Sequence, residues 1–399
     1  MQFPDLILEK EKLVATFSRK HKVLLKDIRV IASPYRVSPL GAHIDHQGGP
    51  VLGMTINACS LMAYVPEDNG QVTLRSENYP GQVKFNLQQI PANTDNFWGS
   101  YARAAALALK EDWPLARGVN GLISGMLPGC GLSSSASVLL AYLYALTEAN
   151  GLRLQPWDFV RLTQLAENNY IGLNNGILDQ TSIVFGKRHH LLHIDTIVAS
   201  VKAFEDKLQE KTHRILIAYS GFSRELMTTG YNTRVKECRE AAAELSRLDG
   251  SPTAVKLADV SEQTFQQHGC RLADHLKRRA AHFYSEVGRV QRGLEYWQEG
   301  RLIDFGRLMV ESCQSSIEQY ECGNPAIHDL QQIVSSADGV IGSRFGGGGF
   351  GGCVVGLVTT DRADNAARQI RDAYLKCHPE TAGQAAVYLA RSADGVRFL

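Results

Sequence analysis

The sequence predicts an α+β protein built from two domains, the first richer in strands. Its 399 residues exceed what a single hydrophobic core usually organises. Short strand-like segments separated by turn residues fill the first third of the chain, and long helical segments dominate the second half. We expect the boundary in a polar segment near residues 195–212, which gives domains at 1–205 and 206–399.

Hydrophobic periodicity and turn residues predict the individual elements in chain order. Strands are predicted at residues 28–32, 51–57, 60–65, 71–75, 83–87, 121–125, 191–194, 215–218, 339–343 and 353–358. Helices are predicted within residues 1–20 and at 97–110, 133–150, 156–170, 224–247, 271–299, 301–318 and 361–376. The second domain is therefore expected to be the more helical of the two.

The charge of the chain is almost balanced, with 42 Lys and Arg against 41 Asp and Glu. This balance argues against a nucleic-acid partner, which normally requires a clustered basic excess. No apolar run approaches the roughly 20 residues of a membrane helix, and the charged N-terminal residues argue against a signal peptide. Eight scattered cysteines without a CxxC pair predict reduced thiols. We therefore expect a cytoplasmic enzyme without a membrane partner.

Glycine is concentrated in one place, where six of the seven residues from 346 to 352 are glycine. Gly346, Gly348 and Gly351 satisfy the dinucleotide pattern GxGxxG, but that pattern requires a helix directly afterwards. Here an apolar strand-like segment begins at Cys353. The alternatives are a loop that brings bare backbone close to a ligand or to another part of the site, and a tight hairpin.

A second small-residue segment, residues 128–136, lies between a predicted strand and a helix that starts near Ser133. Unpaired N–H groups and the helix dipole make such a start suitable for phosphates. No lysine follows the glycines, so this is not the Walker loop. The serines can cap the helix or bind Mg²⁺, and a simple capped helix is the alternative.

Residues 36–49 combine Arg36, His43, Asp45 and His46 in a turn-rich segment. His43, Asp45 and His46 suit either a metal or sugar hydroxyls, although a fourth ligand at zinc spacing is absent from the sequence. A second histidine group, at 189, 190 and 193, is interpreted as strand and loop residues rather than ligands.

Two acidic residues follow in the chain, Glu167 near the end of a predicted helix and Asp179 after a turn. One carboxylate of such a pair can hold a metal while the other accepts a proton from an attacking hydroxyl. Either residue alone is more often a solvated surface group.

Taken together, these segments resemble the galactokinase branch of the GHMP superfamily of small-molecule kinases. Residues 128–136 resemble the phosphate loop, 346–352 the C-terminal glycine motif and 36–49 the galactokinase signature; residues 176–180 and 231–234 match two further segments of the branch. The resemblance implies a two-domain GHMP kinase fold, with an N-terminal domain like ribosomal protein S5 domain 2 and a C-terminal ferredoxin-like α/β sandwich. The active site would lie in the cleft between the domains.

The resemblance also implies roles for individual residues in phosphoryl transfer. Asp179 would orient or deprotonate the anomeric hydroxyl of a sugar, and Arg36 would offset charge on the transferred phosphoryl group. Ser135 and Glu167 would hold Mg²⁺, with ATP as co-substrate. The sugar would be bound by Ala42, His43, Asp45, His46 and Tyr231. The nucleotide would be bound by Gly129, Cys130, Gly131, Leu132, Ser133, Ser134 and Ser135, opposite the glycine motif Gly346, Gly347, Gly348 and Gly349.

Ala42 is a departure from galactokinases, which usually have a glutamate there that binds the C6 hydroxyl of the sugar. A glutamate beside a C6 carboxylate would cost about 4 kcal/mol at an effective dielectric of about 20, and alanine removes that repulsion. The segment around Ala42 is more similar to plant galacturonokinases, and His46 and Tyr231 are candidates to bind the sugar carboxylate. The alternative is a neutral change in a galactokinase.

The expected function is therefore ATP-dependent 1-phosphorylation of D-galacturonate, with galactokinase as the alternative. A sensor that binds sugar and ATP without turnover is disfavoured because Asp179, Arg36, Ser135 and Glu167 are all present. The expected partners are small molecules, and the chain is expected to be a monomer or a weak homo-oligomer.

Overall fold

The computed structural model describes residues 1–92, 98–206, 208, 211–222, 230–251, 254–349 and 351–399. Its strands are β1 (Arg29–Val37), β2 (Val51–Glu67), β3 (Gln71–Ser76), β4 (Gln82–Asn86), β5 (Gly118–Gly125), β6 (His190–Asp195), β7 (Ser200–Glu205), β8 (His213–Tyr219), β9 (Val340–Phe345), β10 (Cys353–Thr359), β11 (Ala386–Ala390) and β12 (Arg397–Phe398). Its helices are α1 (Leu6–His21), α2 (Ser100–Asp112), α3 (Ser134–Ala149), α4 (Pro156–Leu165), α5 (Leu178–Phe185), α6 (Gly230–Leu248), α7 (Glu262–His268), α8 (Asp274–Gln298), α9 (Leu302–Glu318), α10 (Pro325–Ser336) and α11 (Ala363–Cys377).

The first sheet has the strand order β12-β1-β2-β5-β3-β4, and β6 and β7 extend it from the start of β2. All of these pairs are antiparallel except β3 with β5. The prediction of separate strands at 51–57 and 60–65 is wrong, since β2 is continuous. The register shift between Pro34 and Tyr35 of the neighbouring strand marks a bulge there, which bends a strand without ending it.

The second sheet is antiparallel, with the order β11-β8-β10-β9, and the helices α9, α10 and α11 pack against it. The two terminal segments of the chain pair with different sheets. Near the C-terminus β12 pairs with β1 of the first sheet, and Gln2 forms a bridge to Leu389 in β11 of the second. The boundary at residue 205/206 stays a prediction.

Several elements were not predicted, namely β7, β11, β12, α5, α7 and α10. The helix expected over 156–170 changes at Leu165 into a π-helical turn, Ala166–Ile171. The helices expected from residues 97 and 224 are described from Ser100 and Gly230, and residues 93–97 and 223–229 lie outside the described part of the chain. Within the described ranges, none of the helices has the length and apolar character to cross a membrane.

The largest hydrophobic core draws side chains from both sheets, including Leu40 and Ile44 from the first half and Leu216 and Phe345 from the second. The segment after β1 is therefore anchored between the two sheets. Because its apolar side chains are buried, the polar side chains between them are held against the cleft.

Candidate active site

One cleft collects most of the residues expected to be functional. It is lined by Arg36, Ser38, Ala42, His43, Asp45, Ser135, Leu173, Asn175, Gly176, Leu178, Asp179, Tyr231, Arg344, Phe345, Gly347 and Gly348. These residues come from β1, from the loop after it, from the starts of α3, α5 and α6, from the loop before α5, from the end of β9 and from the glycine motif after it. The fold thus brings all five sequence segments to one place.

Arg36 and Asp179 form an ion pair at the centre of this cleft. Both Nε and Nη2 of Arg36 lie 2.7 Å from Oδ1 of Asp179, while Ser133 donates its hydroxyl to Oδ2. Nη1 of Arg36 also reaches the carbonyl oxygen of Gly131, at 3.4 Å. Asp179 lies in the first turn of α5. A charged donor and a charged acceptor are thereby fixed next to the segment 128–136.

The two glycine segments touch each other through their backbones. The glycine motif joins the antiparallel neighbours β9 and β10, so it is a hairpin connection as well as a contact with residues 130–131. A Cβ on Gly131 would lie 3.0 Å from the carbonyl oxygen of Gly346, and Gly131 has a φ of +87°. A Cβ on Gly352, with a φ of +89°, would overlap the carbonyl oxygen of Cys130. Only glycine combines this backbone conformation with this close approach. The predicted contact of bare backbone with another part of the site is found.

The start of α3 is not a conventionally capped helix. Ser133 precedes the helix with a φ of 57° and makes no side-chain cap, because its hydroxyl is bound to Asp179. Ser134 accepts a hydrogen bond from the N–H of Gly129, at 3.0 Å. The side chains of Cys130 and Leu132 are buried in the core. Within this segment, therefore, backbone groups and Ser135 are what the loop presents to a ligand.

Asp45 and His43 also line the cleft. Oδ2 of Asp45 accepts a hydrogen bond from the N–H of Leu178 at 3.1 Å, and Gly176 approaches it so closely that a side chain would overlap. Burial and the neighbouring Asp179 raise the pKa of Asp45 to about 6. His43 has a φ of 61°, an uncommon conformation for a residue other than glycine, and stacks on Tyr320 with ring centroids 4.4 Å apart.

His46 is the predicted sugar-binding residue that the fold does not bring to the cleft wall. Its Nε2 lies 3.0 Å from the hydroxyl of Tyr320, and its Nδ1 lies 2.9 Å from Nε2 of Gln47. Burial is the main cause that lowers its pKa, to about 3, so the ring is neutral. His46 therefore supports the wall from behind, whereas Tyr231 lines the cleft directly.

Glu167 is a buried carboxylate close enough to Asp179 for the two charges to interact. It lies in the π-helical turn, is buried, and accepts a hydrogen bond of 2.5 Å from Asn175. Burial raises its pKa to about 8, and the nearby Asp179 adds to this. Oδ1 of Asn175 is buried without a hydrogen-bond partner. These oxygen donors fit the ligand preference of Mg²⁺, as does the hydroxyl of Ser135.

The histidine segments give no metal cluster. Among the described residues, no group of three or more His, Cys, Asp and Glu side chains is arranged to hold a metal ion. His193 pairs across the sheet with Leu52 and Lys202, in agreement with the interpretation of this group as strand and loop residues.

Sequence reasoning missed a buried ionic network behind Ala42. Glu286 on α8 accepts hydrogen bonds from the N–H groups of Gly41 and Ala42, at 2.7 and 3.2 Å. Its carboxylate also lies 2.6 Å from Nε of Arg289 and 3.8 Å from Nη1 of Arg344. Burial alone would raise the pKa of Glu286, but Arg289 and its other partners lower it to about 2. The network therefore contains an ionised carboxylate.

Comparison with known proteins identifies the family. The chain matches the GHMP kinases N terminal domain over residues 100–187 and the GHMP kinases C terminal domain over residues 294–376. It is 40% identical to a galacturonokinase of Arabidopsis thaliana, over 94% of each chain, and 32% identical to a galactokinase of Roseiflexus sp. (strain RS-1), over 92% of each.

The solved structures agree with this assignment. Lactococcus lactis galactokinase complexed with galactose matches with a TM-score of 0.89 and 28% identity, covering 98% of this chain and 100% of that one. A mevalonate kinase matches with a TM-score of 0.62 at 18% identity, which shows a shared fold alone. The expected two-domain GHMP fold is confirmed, and kinases of this family use ATP. The chain therefore belongs to the GHMP kinase family and is a sugar kinase of its galactokinase and galacturonokinase branch.

Proposed function

We propose that this protein phosphorylates the anomeric hydroxyl of D-galacturonate with ATP, giving D-galacturonate 1-phosphate and ADP. The observation that carries the proposal is Ala42 on the wall of the cleft. A glutamate at this position would repel a C6 carboxylate by about 4 kcal/mol at 4 Å and an effective dielectric of about 20. The identity to the Arabidopsis galacturonokinase is additional support.

In this proposal the central ion pair performs the chemistry. Asp179 accepts the proton of the anomeric hydroxyl or orients that hydroxyl, and Arg36 stabilises negative charge on the transferred phosphoryl group. Their mutual hydrogen bonds of 2.7 Å hold both groups in place before substrates arrive. His43, Asp45 and Tyr231 contact the sugar, and the backbone of residues 129–131 contacts the nucleotide phosphates, with Gly346 to Gly349 forming the facing wall.

Ser135 and Glu167 would hold Mg²⁺ in this account. The ion, when bound, neutralises charge on the phosphates of ATP and helps to orient them. The buried Glu167 carboxylate, whose pKa is raised to about 8 mainly by burial and which is hydrogen-bonded to Asn175, supports this assignment. All eight cysteines are free, in agreement with a reaction in the reducing cytoplasm.

The test is product identification with D-galacturonate and MgATP. We expect a phosphate on the anomeric carbon, seen by NMR, in equal amount to the ADP released. Asp179→Asn should lower kcat by at least about a hundredfold, the usual minimum for a general base, while ATP still binds. The exposed Asp361 provides the matched control, since Asp361→Asn should leave kcat unchanged. Wild-type protein that binds both ligands without turnover would instead be a sensor.

Galactokinase activity is the second candidate. The observation that favours it is the high structural similarity to a galactokinase with bound galactose. It predicts a higher kcat/KM for D-galactose than for D-galacturonate, measured in the same ADP-release assay.

A further inference from the structure

Arg344 lies at the end of β9, two residues before the glycine motif, and its side chain lines the cleft together with Ala42. It is only 1% exposed, so its guanidinium has been taken out of bulk water. Nε donates to the carbonyl oxygen of Phe345 at 3.2 Å, and Nη1 donates to Oγ of Ser312 at 2.9 Å. These bonds fix the orientation of the group.

The buried network around Arg344 contains one more positive charge than negative charge. Glu286 is the carboxylate that Arg289 and Arg344 share within 4 Å, and in the described part of the chain no other acidic group pairs with either arginine. Burial lowers the pKa of the adjacent His282 to about 4, which keeps that ring neutral. Two guanidinium groups therefore face one carboxylate. A buried charge without a full counter-charge is unfavourable until an anion binds next to it.

The surplus charge is located beside the space that Ala42 leaves. Oε1 of Glu286 is 3.2 Å from the backbone nitrogen of Ala42 and 3.8 Å from Nη1 of Arg344, so those two nitrogens are at most about 7 Å apart. Both residues line the cleft, so a carboxylate bound between them would lie next to the guanidinium. Arginine can bind such a carboxylate through two parallel hydrogen bonds.

We propose that Arg344 binds the carboxylate of the sugar-acid substrate in the space left by Ala42. The inference rests on the proposed function, because it assumes a substrate with a carboxylate at C6. This role also explains why an alanine at position 42 occurs together with Arg344. A glutamate at position 42 would supply the missing negative charge from the protein, whereas an alanine leaves that charge to be supplied by the substrate.

Another use of the same charge would be to stabilise the transferred phosphoryl group. That role would be independent of the sugar, since the phosphoryl group is the same for every acceptor. The two roles therefore differ in how a change at Arg344 affects an acidic and a neutral sugar.

The experiment measures the Kd for D-galacturonate and D-galactose without nucleotide, by calorimetry, and kcat/KM for both sugars with MgATP. Arg344→Gln removes the charge, and Arg344→Lys keeps the charge but loses the paired hydrogen bonds. Arg289→Gln is the matched control, because Arg289 contacts the same carboxylate and does not line the cleft.

We expect Arg344→Gln to weaken galacturonate binding by about a hundredfold, mainly through KM, with galactose changed less than fivefold. Arg344→Lys should weaken galacturonate binding by about tenfold and galactose binding less. Arg289→Gln should affect both sugars equally. If Arg344→Gln does not fold, as judged by circular dichroism, Arg344→Lys decides the question by the same comparison.

Equal losses on both sugars in the Arg344 variants would overturn the inference and leave the proposed function intact. The same galacturonate-selective loss in Arg289→Gln would also overturn it, because the effect would then come from the network and not from contact with the substrate. Wild-type protein that prefers galactose would overturn the proposed function and the inference together.

Discussion

Replacing Ala42 with glutamate should reverse the preference between an acidic and a neutral sugar. The new side chain would enter the cleft next to the C6 group, since Ala42 lines its wall and its backbone is fixed by Glu286 at 3.2 Å. Two carboxylates about 4 Å apart repel by about 4 kcal/mol at an effective dielectric of about 20. That corresponds to a loss of about a thousandfold in kcat/KM for galacturonate.

Galactose should respond differently to the same change. Its C6 hydroxyl can donate to the new carboxylate, so kcat/KM for galactose should stay within tenfold of wild type or increase. The assay is ADP release with each sugar at saturating MgATP.

Ala42→Gln is the control that separates charge from size, because glutamine has nearly the shape of glutamate without its charge. We expect the fold-loss in kcat/KM for galacturonate caused by Ala42→Gln to be less than a tenth of the fold-loss caused by Ala42→Glu. Equal losses for the two variants, or equal losses on both sugars, would refute the electrostatic reasoning.

Three further outcomes follow from the described contacts. Because the pKa of Asp45 is raised to about 6 by burial and by its acidic neighbour, the sugar Kd should increase as pH falls from 7 to 5, and Asp45→Asn should remove that dependence. Glu286→Gln should lower the free energy of unfolding in urea by about 3–5 kcal/mol, since it leaves buried charges uncompensated. As the control, Glu311→Gln at an exposed position should change that free energy by less than about 0.5 kcal/mol. Gly352→Ala should raise the KM for ATP, because its Cβ would overlap the phosphate-loop backbone, whereas Gly383→Ala, with open space around it, should not.

The parts of the site that could be predicted are those whose residues follow one another in the sequence. The phosphate loop, the glycine motif and the signature around Ala42 are each read from a single short segment, and the fold brings them into one cleft. The same holds for α3, a nearly continuous run of small and apolar residues, and for β10, an uninterrupted apolar run.

The parts that were missed depend on partners far apart in the chain. Arg344, Glu286 and the Gly41 N–H meet only after folding, and a lone arginine before a glycine run carries no signal of its partners. One indication was available, because His282, Glu286 and Arg289 recur at one face of a helix whose apolar residues are also buried. Charged residues on a buried helix face indicate an internal network.

Two further differences between expectation and structure concern the start of α10 and the direction of His46. Asn324 caps α10 and Pro325 occupies its first position, a combination that predicts a helix start. The resemblance of residues 36–49 makes His46 a candidate to bind the sugar carboxylate, but a 3-10 turn directs it towards Tyr320. Neighbouring residues in a turn point in different directions, and periodicity cannot assign those directions.

The most decisive measurement is the ratio of kcat/KM for D-galacturonate to kcat/KM for D-galactose, taken on the wild-type protein with MgATP at pH 7.5. We expect a ratio well above one, because Ala42 leaves space for a carboxylate and Arg344 supplies a positive charge beside it. A ratio below one would rule out the sugar acid as the preferred substrate and identify the protein as a galactokinase.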